Sequence, residues 1–462
     1  MFPMREAVRI LLLRPAAALL LIGALALAPP GFAASDIWGA PVPVITDPDL
    51  SATTGRHSVG VTTRGREVAL LVEGGPQSRL LVATRGAGER HWAAPVALSA
   101  RARWLENPQL VVWGDGRATA VWTTGVEPRL FTASMAANGR WGPQRRVDIP
   151  ALPAVSSLRV ARSDDGTIAI AWNQGEGRGA AAVVHRPGEP WRMTGVHPLV
   201  ESTPTGVVIG RSGDVHVAVF QQTADTKVPA GRGGDDIRGV FLLDVRRNGA
   251  WGPAHRVGPP SGSSHDLQDY GTYRFSSNDD GDILLAWGEY NARGNVIFVM
   301  RVRHAGSGFG PRQLLPRQPQ GFRGGTGIPL AGLTASGAVV IVYGARSPDG
   351  TGYPTFIQRR TSAGAWLTPQ RVTPDPDAYY APARLAIGPG GAALLTVTDH
   401  TDSSDRVTSV VRCLRSAPCG SSSTFPGMDV GSQLAFGPSG RGLLITGDDS
   451  GPVSRRLAPP VG

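Results

Sequence analysis

One phrase, NDDGDILLAW at residues 278–287, recurs in altered form along most of the chain and limits what the chain can become. Its variants are GDGRATAVW ending at Trp122, DDGTIAIAW at Trp172, RSGDVHVAVF at Phe220, TASGAVVIVY at Tyr343 and GPGGAALLTV at Val397. Each is a polar turn holding a glycine, followed by an apolar run that closes on an aromatic or branched residue. Such a run, bounded by turn residues, reads as a buried strand fed by a tight turn. Beyond the first 34 residues no segment shows the 3.6-residue period, caps and length of a helix.

The turn glycines fall at Gly65, Gly116, Gly166, Gly213, Gly281, Gly337, Gly391 and Gly440, at spacings of 51, 50, 47, 68, 56, 54 and 49. A second marker follows each of the first six: Trp92, Trp141, Trp191, Trp251, Phe309 and Trp366. It usually stands behind a short glycine turn such as Asn138-Gly139 or Asn248-Gly249, and Asn-Gly is a strong hairpin signal. One unit therefore reads as four strands, which in the second unit are QLVVW, RATAVW, RLFTASM and WGPQRRV. Four antiparallel strands repeated at about this interval make a β-propeller blade. Length alone would divide the chain into about three domains of roughly 150 residues, but the repeat makes 35–462 one all-β propeller. The glycines count eight blades. The seventh unit lacks its Trp and is irregular around Cys413 and Cys419, which keeps seven as the alternative.

The chain ends point to ring closure. The last unit, from Gln433, has three strands and no Trp, whereas Ile37-Trp38-Gly39-Ala40-Pro41 is a fourth-strand marker without a blade. Joining them completes the ring and removes exposed strand edges. Cys413 and Cys419 are the only cysteines, and their closeness predicts a disulfide across a strand end. Neither a metal site nor redox duty fits two cysteines at this spacing.

Residues 1–34 read as a secretory signal peptide: Arg5 and Arg9, then the apolar run Ala16–Ala28, then small residues before a cut. The alternative is a retained membrane anchor, for which the run is short of the about 20 residues a span needs. Removing Arg5, Arg9, Arg14 and Glu6 takes the formal charge from +10 to +8, nearly all of it arginine, since Lys227 is the only lysine. The charges are scattered, which argues against nucleic acid and for attraction to anionic surface polymers.

In a four-stranded meander the first and third turns share one face of the ring, and the other connections share the opposite face. The first set is short here; the second holds the long, varied segments, including RARWLENP (101–108), 258–274, 288–294, 317–327, 373–382 and 398–406. Sites are built on such loops. Of the eleven tryptophans, six mark fourth strands, three close second strands and Trp113 sits in a first strand; Trp104 alone lies in a loop with no structural reason. The leading reading is a non-catalytic binder, a monomer without cofactor or metal, that holds an extracellular glycan, envelope polymer or partner protein on this face. Arg103, Trp104, Tyr270, Arg274, Arg323, Tyr379, Tyr380 and His400 supply flat aromatic platforms and directed hydrogen bonds.

The repeated hairpins with a Trp opening the last strand resemble the sialidase-type propellers, secreted bacterial proteins with BNR-like repeats, over residues 36–462. The nearest match to that family's Asp box is Ser134 to Trp141, where Ala136 stands in place of the Asp. The resemblance implies an alternative function as a glycoside hydrolase. Asp266 or Asp269 would then act as acid/base, Glu289 with Tyr273 or Tyr290 as the nucleophile pair, and Arg274 and Arg323 as clamps on an anionic sugar.

Overall fold

The computed structural model describes residues 38–457 apart from 46–51, 75–76, 126–127, 150–154, 175–178, 200–201, 211, 224–235, 259–273, 279, 291–295, 315–328, 374–379, 400–407, 414–418, 420–422, 426–432, 438–439 and 449–450. It contains eight four-stranded antiparallel sheets, each a meander in chain order. Blades one to seven span 52–97, 105–146, 156–196, 202–258, 274–314, 330–371 and 380–425. Blade eight takes three strands from 433–457 and its fourth, Val42–Pro43, from the other end of the chain. The first strand of every blade touches that of the next, and the eighth touches the first, so these strands wall a central channel. Among the described residues the only helical element is a 3-10 turn, Pro389–Gly391.

The turn between first and second strands is built the same way eight times. The glycine N–H donates to the carbonyl three residues earlier, from Gly65 to Thr62 at 2.9 Å through to Gly440 to Gly437 at 2.9 Å. All eight of these glycines have positive φ, from 73° at Gly65 to 96° at Gly116. A side chain is strained in that region, so the turn selects glycine. The second strand then runs through the blade's middle. Glu67–Glu73 and Val339–Gly344 are buried along their whole length, because each face meets a neighbouring blade. That explains continuous apolar runs where a half-exposed strand would alternate.

Eight hydrophobic clusters fill the eight interfaces between blades. Trp122, Trp172 and Trp287, closing second strands, are at most 1% exposed and each contributes the area of a large aromatic to its interface. Trp113 is also buried, and its indole N–H reaches the Ser163 carbonyl of the next blade at 2.9 Å. The fourth-strand markers are only half-buried. They bridge back to the end of the third strand six residues earlier: Met135 to Trp141, Arg303 to Phe309, Arg360 to Trp366. Cys413 and Cys419 form the same bridge and are joined as a disulfide. The cysteine pair thus occupies the aromatic marker's place in blade seven, and the irregular unit is a full blade.

Blades eight and one are fastened by more than strand pairing. The Trp92 indole N–H of blade one donates to Ser454 Oγ of blade eight at 2.8 Å. Glu67, 3% exposed, accepts from Arg85 of its own blade on one oxygen and from Arg456 of blade eight on the other, the latter at 2.7 Å. Arg456 also donates to the Gly86 carbonyl at 2.8 Å.

Candidate functional site

Counting back from the turn glycines brings equivalent positions of the eight first strands to one level of the channel. Seven residues before its glycine, blade three has Arg159, blade five Arg274 and blade seven Arg384. The other blades have Ser58, Gln109, Gly206, Leu330 and Gln433 there. In blades two, three, four and seven a β-bulge immediately precedes this position, between Glu106 and Gln109, Ser156 and Arg159, Pro204 and Gly206, and Pro382 and Arg384. Bulges re-aim side chains. The level lies about 13 Å from the short turns, at roughly 3.3 Å per residue, toward the long-loop mouth.

The Arg159 and Arg384 guanidiniums lie near enough to that of Arg274 for their charges to act on it. Burial, then the positive charges of Arg384 and Arg159, push the Arg274 pKa down to about 10. Burial also pushes Arg159 and Arg384 below the ordinary arginine value. Arg159 and Arg384 are nonetheless exposed and Arg274 half-buried. They sit as groups in a channel wall do: water reaches them, while surrounding protein makes their charge costly. Arg159 is tied to backbone, donating from Nε to the Thr205 carbonyl at 3.0 Å and from Nη1 to the Leu158 carbonyl at 2.9 Å. Such a set of forked donors suits a carboxylate, sulfate or phosphate group.

At the same mouth, blade two presents Arg103 and Trp104 just before its first strand. Trp104 is 56% exposed, and the Arg103 guanidinium lies 5.9 Å from its ring centroid. A few residues on, Asn107 Nδ2 crosses to the Val155 carbonyl of blade three at 3.4 Å. At the opposite, short-turn mouth a cavity of about 310 Å³ opens between blades three, four and five, lined by Arg162, Ser163, Asp164, Asp165, Gly210 and Asn278 among others. Blade four contributes Gly210 there, at the turn position that holds Trp113 in blade two. Its acids are engaged locally: Asp164 meets Arg162 at 3.3 Å, and Asp165 accepts from the Thr167 N–H at 2.8 Å. The long-loop mouth is therefore the candidate site.

Of the residues expected from sequence, Arg103, Trp104 and Arg274 lie at this mouth. Glu289 and Tyr290 end the second strand of blade five, paired with Ile297 and Val296, and Tyr380 opens blade seven opposite Asp399; only their backbones are described. Asp266, Asp269, Tyr270, Tyr273, Arg323, Tyr379 and His400 lie outside the described residues. Sequence reasoning missed Arg159 and Arg384, although the fixed distance to the turn glycine marks both.

No protein-family model matches the chain, and no curated protein does. Among solved structures it is similar to polysaccharide lyase Uly1, with a TM-score of 0.46 at 9% identity over 84% of this chain and 98% of that one. A PL25 ulvan lyase gives a TM-score of 0.44 at 11% identity over 91% and 93%. The β-propeller domain of the Trilobed protease from Pyrococcus furiosus gives 0.44 at 7% identity over 81% and 98%.

Proposed function

We propose that this chain is a secreted, non-catalytic propeller that binds an anionic extracellular glycan or envelope polymer at the long-loop mouth of its channel. The observation that carries the reading is the set Arg159, Arg274 and Arg384 at one channel level. Forked guanidinium donors suit an acidic group, and like charges brought to one level favour an anion that offsets their mutual repulsion. The +8 charge that remains once the leader is removed attracts such a polymer from a distance.

The test is titration of the purified mature protein with polygalacturonate at low and high salt, beside Arg159→Met, Arg274→Met and Arg384→Met. Each substitution is expected to weaken binding by about tenfold or more and to flatten its salt dependence. Affinity unchanged in all three variants overturns the reading. Turnover of fluorogenic glycosides that disappears in Glu289→Gln and Asp266→Asn would instead make the protein a glycoside hydrolase, with its site at blade five.

A further inference from the structure

Among the described residues three non-glycine positions have positive φ: Trp104 (64°), Asn107 (52°) and Ser157 (54°). Trp104 and Asn107 lie where the first strand of blade two begins, and Ser157 where that of blade three begins, two residues from Arg159. Asparagine tolerates this region, and the Asn107 amide also bonds Thr123 Oγ1 at 3.4 Å. Tryptophan does not tolerate it, and a bulky residue there is held by its surroundings. The hold is visible on both sides. Ala102 exchanges two backbone hydrogen bonds with Ser78, at 2.8 and 2.9 Å, while the Trp104 carbonyl accepts from the Gly125 N–H at 2.9 Å and Leu105 is buried. Clamped between these anchors, the indole points outward.

Packing gives no reason for this arrangement. Trp104 is the one exposed aromatic side chain among the described residues, every other described Trp being buried or half-buried. Its position combines a strained backbone with an apolar ring left in water, two unfavourable choices that a smaller polar residue would avoid. Strain of this kind gathers at ligand clamps. A rigid indole supplies a large flat surface at little entropic cost on binding. A polyphosphate or a simple acidic peptide offers that surface nothing to cover, whereas the C–H face of a pyranose ring does.

We propose that Trp104 is a stacking platform for a sugar ring of the bound polymer, so that the ligand class is an acidic polysaccharide whose charged groups enter the arginine-lined channel next to it. This inference rests on the anion-binding reading of the channel and adds the carbohydrate. Arg103, over the ring, orients the platform and adds a donor for the sugar's hydroxyls or acid.

The experiment compares polygalacturonate with sodium polyphosphate as probes on the mature protein, using Trp104→Ala, Trp104→Gly and an Arg159→Met/Arg274→Met double variant. Trp104→Ala is expected to weaken polygalacturonate by about tenfold and to leave polyphosphate within about twofold, while the arginine variant weakens both. Trp104→Gly should show the same loss for the sugar polymer with a raised thermal midpoint, because glycine adopts a φ of 64° without strain. Wild-type affinity of Trp104→Ala for polygalacturonate, or an equal loss on both probes, overturns the platform and leaves the arginine site standing. Arginine variants that bind both probes normally, or a wild-type protein that binds neither, overturn the channel site and the platform with it.

Discussion

Replacing Glu67 by Gln tests what holds the ring shut. Glu67 is 3% exposed and Arg85 1%, so this carboxylate and guanidinium are paired away from water. Burial pushes the Arg85 pKa down and the Glu67 charge counters it. The second Glu67 oxygen meets Arg456, 27% exposed, across the junction of blades one and eight. Glutamine keeps the volume and one acceptor but turns an NH2 toward the other guanidinium, leaving a buried charge without its counterion. Breaking such a pair by removing one partner costs about 3–5 kcal/mol. Asp115→Asn is the control: Asp115 and Arg117 meet at 2.6 Å but are 50% and 44% exposed, and an exposed pair contributes about 0–1 kcal/mol. The assay is urea unfolding of both variants, with the slope compared to wild type so that a change in cooperativity is not read as a change in stability. A Glu67→Gln cost no larger than that of Asp115→Asn would refute the reasoning and leave strand pairing through Val42–Pro43 as the closure.

Other predictions follow from single features. Trp172→Ala, at a fully buried site between blades two and three, should cost about 3–5 kcal/mol in the same assay. Replacing both Cys413 and Cys419 by Ala should lower stability by about 2 kcal/mol, the chain-entropy value for so short a loop, without loss of the blade, as read by unfolding under non-reducing conditions. Asp244 should make stability sensitive to acid. Burial alone would raise its carboxyl, but the His216 hydrogen bond at 2.6 Å and the charges of His216, His255 and Arg303 outweigh burial and hold it below the ordinary value. A depressed carboxyl contributes above its unfolded pKa of 3.8 and loses that contribution as pH falls through the folded value. The thermal midpoints of wild type and Asp244→Asn should therefore differ near neutrality and converge as the pH falls below about 4; a constant gap would contradict this.

Much of the architecture was legible because it depends on residues that leave little choice. Glycine alone meets the positive φ of Gly65 or Gly281 without strain, and an apolar run suits a strand pressed between two blades. Ring closure was legible from Trp38, since a fourth-strand marker without a blade must find one. The count stayed open at blade seven because a disulfide does there what Trp does elsewhere. The six-residue spacing of Cys413 and Cys419 equals that of Met135 and Trp141, so geometry, not residue type, was the invariant. The site was less legible. Trp104 stood out because no packing role claimed it, but Arg159 and Arg384 are ordinary arginines among many until the bulges and the ring put them at one level with Arg274.

The spacing of those arginines follows from what stands between them. Gly206 of blade four has no side chain because the Phe275 ring of blade five crosses there; a Cβ would lie 2.1 Å from it. Leu330 of blade six is 7% exposed and belongs to the core between blades six and seven. Blades four and six therefore spend this position on packing, and their apolar groups separate the guanidiniums of blades three, five and seven. Arginine at adjacent blades would bring like charges closer and displace Phe275 or Leu330. The alternation has an electrostatic consequence as well: low-dielectric walls between charges of one sign concentrate the field in the channel instead of letting solvent between them screen it. The same eight-fold repeat that stabilises the ring thus leaves one inner position per blade to vary, and charged residues at blades three, five and seven are the arrangement that the packed positions of blades four and six permit.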